Sequence, residues 1–247
     1  MFDLLLEAGA DVNGVNDQYE HWSPLMLSVH HGSVDMRDEL MRRGARVGLF
    51  EALMMSDDRR FDEIPAQVPN GGSPLNFART AHAIDRLLEL GASATLADRW
   101  GATPMDAFSR LGAAGDPLMR HLIARGVPAT PVQYARLGDQ QALLECAPTD
   151  DVFMAAVDAG RHALVAWLLS RGANPNSRAQ AQSRQTALHT AAWNGDLQMV
   201  KLLVDAGADL AARDGEHKTT PCEWAETAIV VKNDHTRQAV VEYLRPV

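Results

Sequence analysis

The sequence predicts an all-α fold: a solenoid of stacked antiparallel helix pairs joined by polar hairpin loops, about eight pairs in all. Three observations predict it. A capping residue followed by proline recurs at Ser23-Pro24, Ser73-Pro74, Thr103-Pro104, Thr130-Pro131 and Thr220-Pro221. Proline is tolerated at the first helical position because its missing N–H would have no helical partner. A glycine followed by a small residue ends an apolar stripe at Gly9, Gly44, Gly91, Gly126, Gly172 and Gly207. Those glycines stand 35, 47, 35, 46 and 35 residues apart, and a period of this size marks a repeat architecture.

Taken in order, Phe2, Leu4, Leu5 and Leu6 read as a second helix without its first. Such a helix, about eight residues long, is not stable alone and is expected to lie on the pair over 24–42. Compact pairs with little polar hairpin follow at 49–64 and 74–90, then again at 131–146 and 151–171. The glycine spacing repeats as a longer block: SPLMLSVHHGSVDMRDELMRRGA aligns over TPMDAFSRLGAAGDPLMRHLIARGV. One full repeat followed by two compact pairs is the preferred unit, and duplication is the preferred account of it. The passage from Thr186 to Asp214 shows the grammar most fully. Thr186 caps a helix with Leu188, Ala191 and Ala192 on one face. Asn194-Gly195 ends that helix. Val200, Leu202 and Leu203 form the second stripe, closed by Gly207. The final VVEYLRPV, after the polar run VKNDHTR, reads as a capping helix. Residues 1–247 are expected to form one repeat domain, hairpin-poor near 49–90 and 131–172.

The totals set further bounds. Hydrophobic residues make up 46% of the chain and the net charge is -9. That balance argues against a surface that tracks nucleic-acid phosphates. No apolar run reaches about 18 residues, so no membrane span is expected. MFDLLLEAGADVN does not read as a signal peptide. Cys146 and Cys222 are too few for a disulfide framework. These features point to a reducing cytoplasmic compartment. The positive residues are 20 Arg and 3 Lys, a bias in keeping with a GC-rich bacterial genome.

TALHTAA and GADLAARD match closely the two ends of a repeat with a period near 33, a T-P-L-H-x-A helix start and a G-A-D hairpin. SPLMLSV, SPLNFAR, TPMDAFS, TPCEWAE, GADVN and GANPN carry it in part. On these motifs the chain resembles the ankyrin repeat family along essentially its whole length. It departs from the pattern in its compact units, its long hairpins, and the loss of the motif histidine everywhere but His189. The resemblance implies a protein-binding module without catalytic turnover, a cofactor or a metal. It also implies contacts through hairpin tips and the concave ends of the first helices. Mapped onto this chain, the hairpin candidates are Tyr19, His21, Trp22, Arg99, Trp100, Arg184 and His217. Arg178, Gln182, Glu216 and Lys218 sit beside them. The concave candidates are His30, His31, Arg110, Asp158, Trp193 and Asn194. Trp22, Arg99, Trp100 and Trp193 are the preferred anchors, since Trp and Arg dominate binding hot spots. Packing of Trp22, Trp100 or Trp193 against a neighbouring repeat is the competing reading. Trp167 and Trp224 read as structural. The partner is an unidentified protein and the chain a monomer; the alternative is a structural role, as the tail of a larger protein or by self-association through the first helix.

No nucleophile, phosphate loop or dinucleotide motif is legible, and no histidine pair has metal-ligand spacing. His30 and His31 are adjacent and point apart on a helix. Asp57-Asp58 and Asp150-Asp151 read as helix N-terminal charges. An enzyme site on the repeat scaffold is the least favoured alternative. Cys222 is expected to be buried and inert.

Overall fold

The computed structural model describes residues 10–14, 22–64, 74–98, 101–181 and 183–245. The expectations for Phe2 to Leu6 and for Tyr19, His21, Arg99, Trp100 and Gln182 lie outside the described residues. The chain divides into two compact units, Met1–Val127 and Pro128–Val247, and each is described by itself. The fold is all-α. Among the described residues there is no β-strand, only an isolated antiparallel bridge between Arg178 and Thr186.

The first unit holds α1 (Pro24–His30), α2 (Val34–Arg42), α3 (Leu49–Met54) and α4 (Asp58–Glu63). A 3-10 turn (Pro74–Phe77), α5 (Ala81–Glu89), α6 (Pro104–Ser109), a 3-10 turn (Gly112–Ala114) and α7 (Asp116–Ala124) complete it. α1, α3, the Pro74–Phe77 turn and α6 pack successively as one row, and α4, α5 and α7 as a second. Leu25, Leu40, Leu75, Ile84, Leu87, Phe108 and Leu122 are fully buried. No single pair could bury this surface by itself.

The second unit holds α8 (Pro131–Leu137), a 3-10 turn (Gln141–Leu143), α9 (Asp150–Asp158), α10 (His162–Ser170), α11 (Ala187–Asn194) and α12 (Leu197–Asp205). It ends with α13 (Pro221–Lys232), a 3-10 turn (His235–Arg237) and α14 (Gln238–Leu244). α8, α9, α11 and α13 form one row, and α10, α12 and α14 the other. One continuous core runs from Ala135 through Phe153, Leu168, Leu188 and Val200 to Leu244.

The helix starters show why the motif tolerates losing its histidine. In Thr103-Pro-Met-Asp106, Thr130-Pro-Val-Gln133 and Thr220-Pro-Cys-Glu223 the fourth residue reaches back to the capping N–H. Those bonds are 3.0, 2.9 and 2.6 Å long. His189 does the same, its Nδ1 accepting from the Thr186 N–H at 3.2 Å. Any acceptor of suitable length closes the capping box. At α1 the fourth residue is Met26, which cannot accept. There the Ser23 hydroxyl donates to Glu51 of α3 at 2.6 Å. His189 adds what the carboxylates cannot: its Nε2–H donates to the Thr219 carbonyl at 2.9 Å, in the next hairpin. Burial lowers its pKa, so it is neutral at pH 7, as this pattern of one acceptor and one donor nitrogen requires. Asn76 makes the equivalent reach to the Ala102 carbonyl at 3.3 Å. Pro74–Phe77 is a 3-10 turn, and α5 follows from the Thr80 cap.

Helices of successive pairs are tied by His–Asp contacts. His121 and Arg125 of α7 both reach Asp85 of α5, each at 2.6 Å. His162 of α10 reaches Asp196, which caps α12, at 2.8 Å. The bond from His121, with the nearby Arg125, holds the Asp85 carboxyl below its ordinary pKa. A carboxyl with a depressed folded pKa stabilises above its unfolded pKa of about 4. That contribution fades as pH falls through the folded value. Asp85→Asn is therefore expected to cost about 1 kcal/mol at pH 7 and progressively less as pH falls below about 4. Denaturant midpoints of both chains across pH 2–7 check this; a constant difference would refute it.

Three arginines close helix and turn ends formed earlier in the chain. Arg161 Nε donates to the Arg136 carbonyl of α8 at 2.6 Å. Arg237, only 8% exposed, donates to the Trp193 and Asn194 carbonyls of α11 at 3.1 and 3.4 Å. Arg171 donates to the carbonyls of Leu143 and Leu144. Terminal carbonyls have no partner within their own helix, and a guanidinium can serve two at once.

Candidate functional site

In the second unit a cavity of about 340 Å³ opens between α8, α9, α11 and the hairpin ahead of α11. Val132, Met154, Ala155 and Ala179 supply apolar wall. Arg136, Asp151, Asp158, Gln180, Gln185 and Thr190 supply the polar part. The helices are held in register by the starters Thr130, Thr149 and Thr186, so one face of each first helix meets the same space.

The charges are unevenly matched. Arg136 and Asp158 neutralise each other at 2.9 Å. Asp151, exposed in the first turn of α9, has no side-chain partner among the described residues. Its neighbour Asp150 is occupied by the Ser177 hydroxyl at 2.7 Å. Thr190 is 8% exposed, and its hydroxyl is shut from solvent with no hydrogen-bond partner. An unpaired buried hydroxyl costs about 1–3 kcal/mol.

The hairpin after α12 turns on Asp214, only 1% exposed. Its carboxylate accepts from the backbone N–H groups of Glu216, His217 and Thr219, from the Thr219 hydroxyl, and from Trp224 Nε1 at 3.2 Å. Burial disfavours the charge, but these donors outweigh it and hold the carboxyl far below the usual carboxylate range. Adjacent hairpins are stitched together: Arg178 donates to the Arg184 and Arg213 carbonyls.

Among the described residues, Asp158 is the one binding candidate from the sequence that lines the cavity; Asp151, which also lines it, reads in the sequence as a helix N-terminal charge. Trp22 is half-buried, its indole edge-on to His30 at 5.1 Å and to Phe77 at 6.4 Å. Trp193 is half-buried too, packed on Trp224 at 5.8 Å and capped by the Lys232 ammonium at 5.0 Å. Both contacts match the local-packing reading. His30 and His31 are exposed, with their rings 5.2 Å apart. Arg110 is exposed at the end of α6, and Asn194 at the end of α11. Arg184 and His217 are exposed on their hairpins, Arg184 with φ 42°. Cys222 is half-buried rather than fully buried, and burial pushes its thiol pKa up. Val132, Met154, Asp151, Gln180, Gln185 and Thr190 were not legible as a site. The one available signal was Thr190, a hydroxyl amid the apolar run ALHTAA. Among the described residues no group of His, Cys, Asp and Glu could hold a metal, and no helix is long and apolar enough to cross a membrane.

Comparison with known proteins places a family model described as "Ankyrin repeats (many copies)" on residues 152–204. Alpha-latrotoxin-Lg1a of Latrodectus geometricus is 33% identical over 94 residues, 38% of this chain. The chain spans about 6% of that protein's length. The human ASB11 ankyrin repeat domain, solved by crystallography, aligns over 93% of this chain and 90% of its own, at 23% identity and a TM-score of 0.34.

Proposed function

We propose that the chain is an ankyrin repeat protein beyond the matched residues 152–204, and that it is a non-catalytic recognition module acting in the cytoplasm. Ankyrin repeats are generally protein–protein interaction modules. The observation that carries the reading is the open cavity across α8, α9 and α11, lined by both apolar and polar side chains. The exposed hairpin residues Arg184 and His217 extend the same kind of surface. Within the same unit Trp193 packs on Trp224.

Affinity capture from a lysate of the source organism tests this, with the intact chain and an Asp158→Arg chain side by side. Asp158→Arg sets two like charges together at the cavity mouth, where Arg136 now has a partner. A protein retained by the intact chain and lost by the variant supports recognition at this surface. A small-molecule turnover activity, with no protein retained, would sink it.

A further inference from the structure

We infer that the cavity of the second unit takes an extended peptide segment bearing an aliphatic side chain next to a lysine or arginine. This rests on the recognition reading above and goes further by naming the chemistry of the occupant. The aliphatic group meets Met154, Ala155, Val132 and Ala179. Removing its surface from water is worth about 25 cal/mol per Å², and the thioether of Met154 adapts to branched shapes.

Charge selects the neighbour. Arg136 is already satisfied by Asp158, so the carboxylate left for a ligand is Asp151. The whole chain carries a net charge of -9, which favours approach of a cationic segment. An acidic segment would face Asp151 with nothing free to answer it.

Two neutral polar groups fit a peptide backbone. The exposed amide of Gln180 offers a donor and an acceptor. Thr190 supplies the second contact. Thr190 lines the cavity, and threonine in a helix uses two χ1 rotamers, so a second position is open to the hydroxyl now shut from solvent. A ligand carbonyl there would recover a hydrogen bond that the free protein leaves unmade.

The test is a display selection of random dodecapeptides on the full chain, followed by anisotropy of the enriched peptides on variants. Peptides pairing an aliphatic residue with a nearby Lys or Arg are expected. Thr190→Val should weaken them about five- to tenfold while raising the melting temperature by about 2 °C, since it removes an unpaired hydroxyl. Asp151→Asn should weaken them by a similar factor without changing the fold. Binding should fall steeply with salt for the parent and less so for Asp151→Asn. Enriched peptides lacking the basic residue, or unaffected by both variants, would overturn the inference and leave the recognition reading intact. So would an empty selection from a chain that still captures a protein from lysate. An empty selection and an empty capture together would remove both.

Discussion

An Asp214→Ala chain is expected to unfold its second unit about 10 °C or more below the parent. The carboxylate is fully buried and accepts from three backbone N–H groups, the Thr219 hydroxyl and the Trp224 indole. Alanine leaves these donors without an acceptor in a site water barely reaches. Each orphaned buried donor costs about 1–3 kcal/mol, and partial relaxation of the hairpin puts the total near 3–4 kcal/mol. For a unit of this size that is roughly 10–15 °C. Asp214→Asn keeps one acceptor but turns N–H groups toward N–H groups, so it should lose about half as much. The pH profile carries the sign. Asp214 has a strongly depressed folded pKa, so its contribution is complete above about pH 4, the unfolded value. It declines steadily as pH falls below that. Parent and Asp214→Ala should therefore converge in acid. Melting followed by Trp224 fluorescence checks this; equal melting temperatures at pH 7 would refute it.

Gly115→Ala is expected to disrupt the first unit more than any surface substitution there. The reason is space, since Gly115 has φ -83° and any residue could adopt its backbone. A Cβ at this position would lie 1.9 Å from the Phe108 carbonyl oxygen and 2.7 Å from its carbon. Backbone cannot yield as a side-chain tip does, and Phe108 is fully buried. Moving α6 from α7 by more than an ångström costs above about 3 kcal/mol. Gly112, three residues earlier, provides the contrast. It has φ 59° and open space around its Cβ position, so Gly112→Ala should cost only about 1–2 kcal/mol in backbone strain. Denaturant unfolding of the two variants should rank them in that order; the reverse order would refute the packing argument.

The fold was readable because its signals are local. Thr103, Thr130 and Thr220 cap their helices through bonds three residues long, and a local bond leaves a local pattern. Gly44, Gly91, Gly126, Gly172 and Gly207 all have positive φ, which is why glycine recurs where the second helix stops. Gly115 was less legible: its sequence setting, RLGAAGD, reads as a connector, while its role depends on Phe108 folding back over it. The cavity was illegible for the same reason. Asp151, Gln180 and Thr190 come from a helix start, a hairpin and a helix middle, and no spacing rule unites them. Aromatic residues in a polar loop and at a helix end drew attention instead, and two of those, Trp22 and Trp193, pack on neighbouring rings. A large apolar side chain advertises itself in a sequence, whereas an unpaired hydroxyl does not.

The arginine seals also bear on the order in which the chain can mature. Arg161 completes the end of α8, and Arg237 the end of α11. In both cases the sealing residue is made after the helix it serves. A ribosome delivers the N-terminal part first, at about 5–20 residues per second. For the 43 residues between Asn194 and Arg237, the end of α11 waits several seconds with its carbonyls still in water. The ends of α8 and α11 thus emerge unfinished and are completed by residues made later. Nascent chains stalled just before Arg237 should therefore be cut by protease near Asn194, and chains stalled well beyond it should be protected.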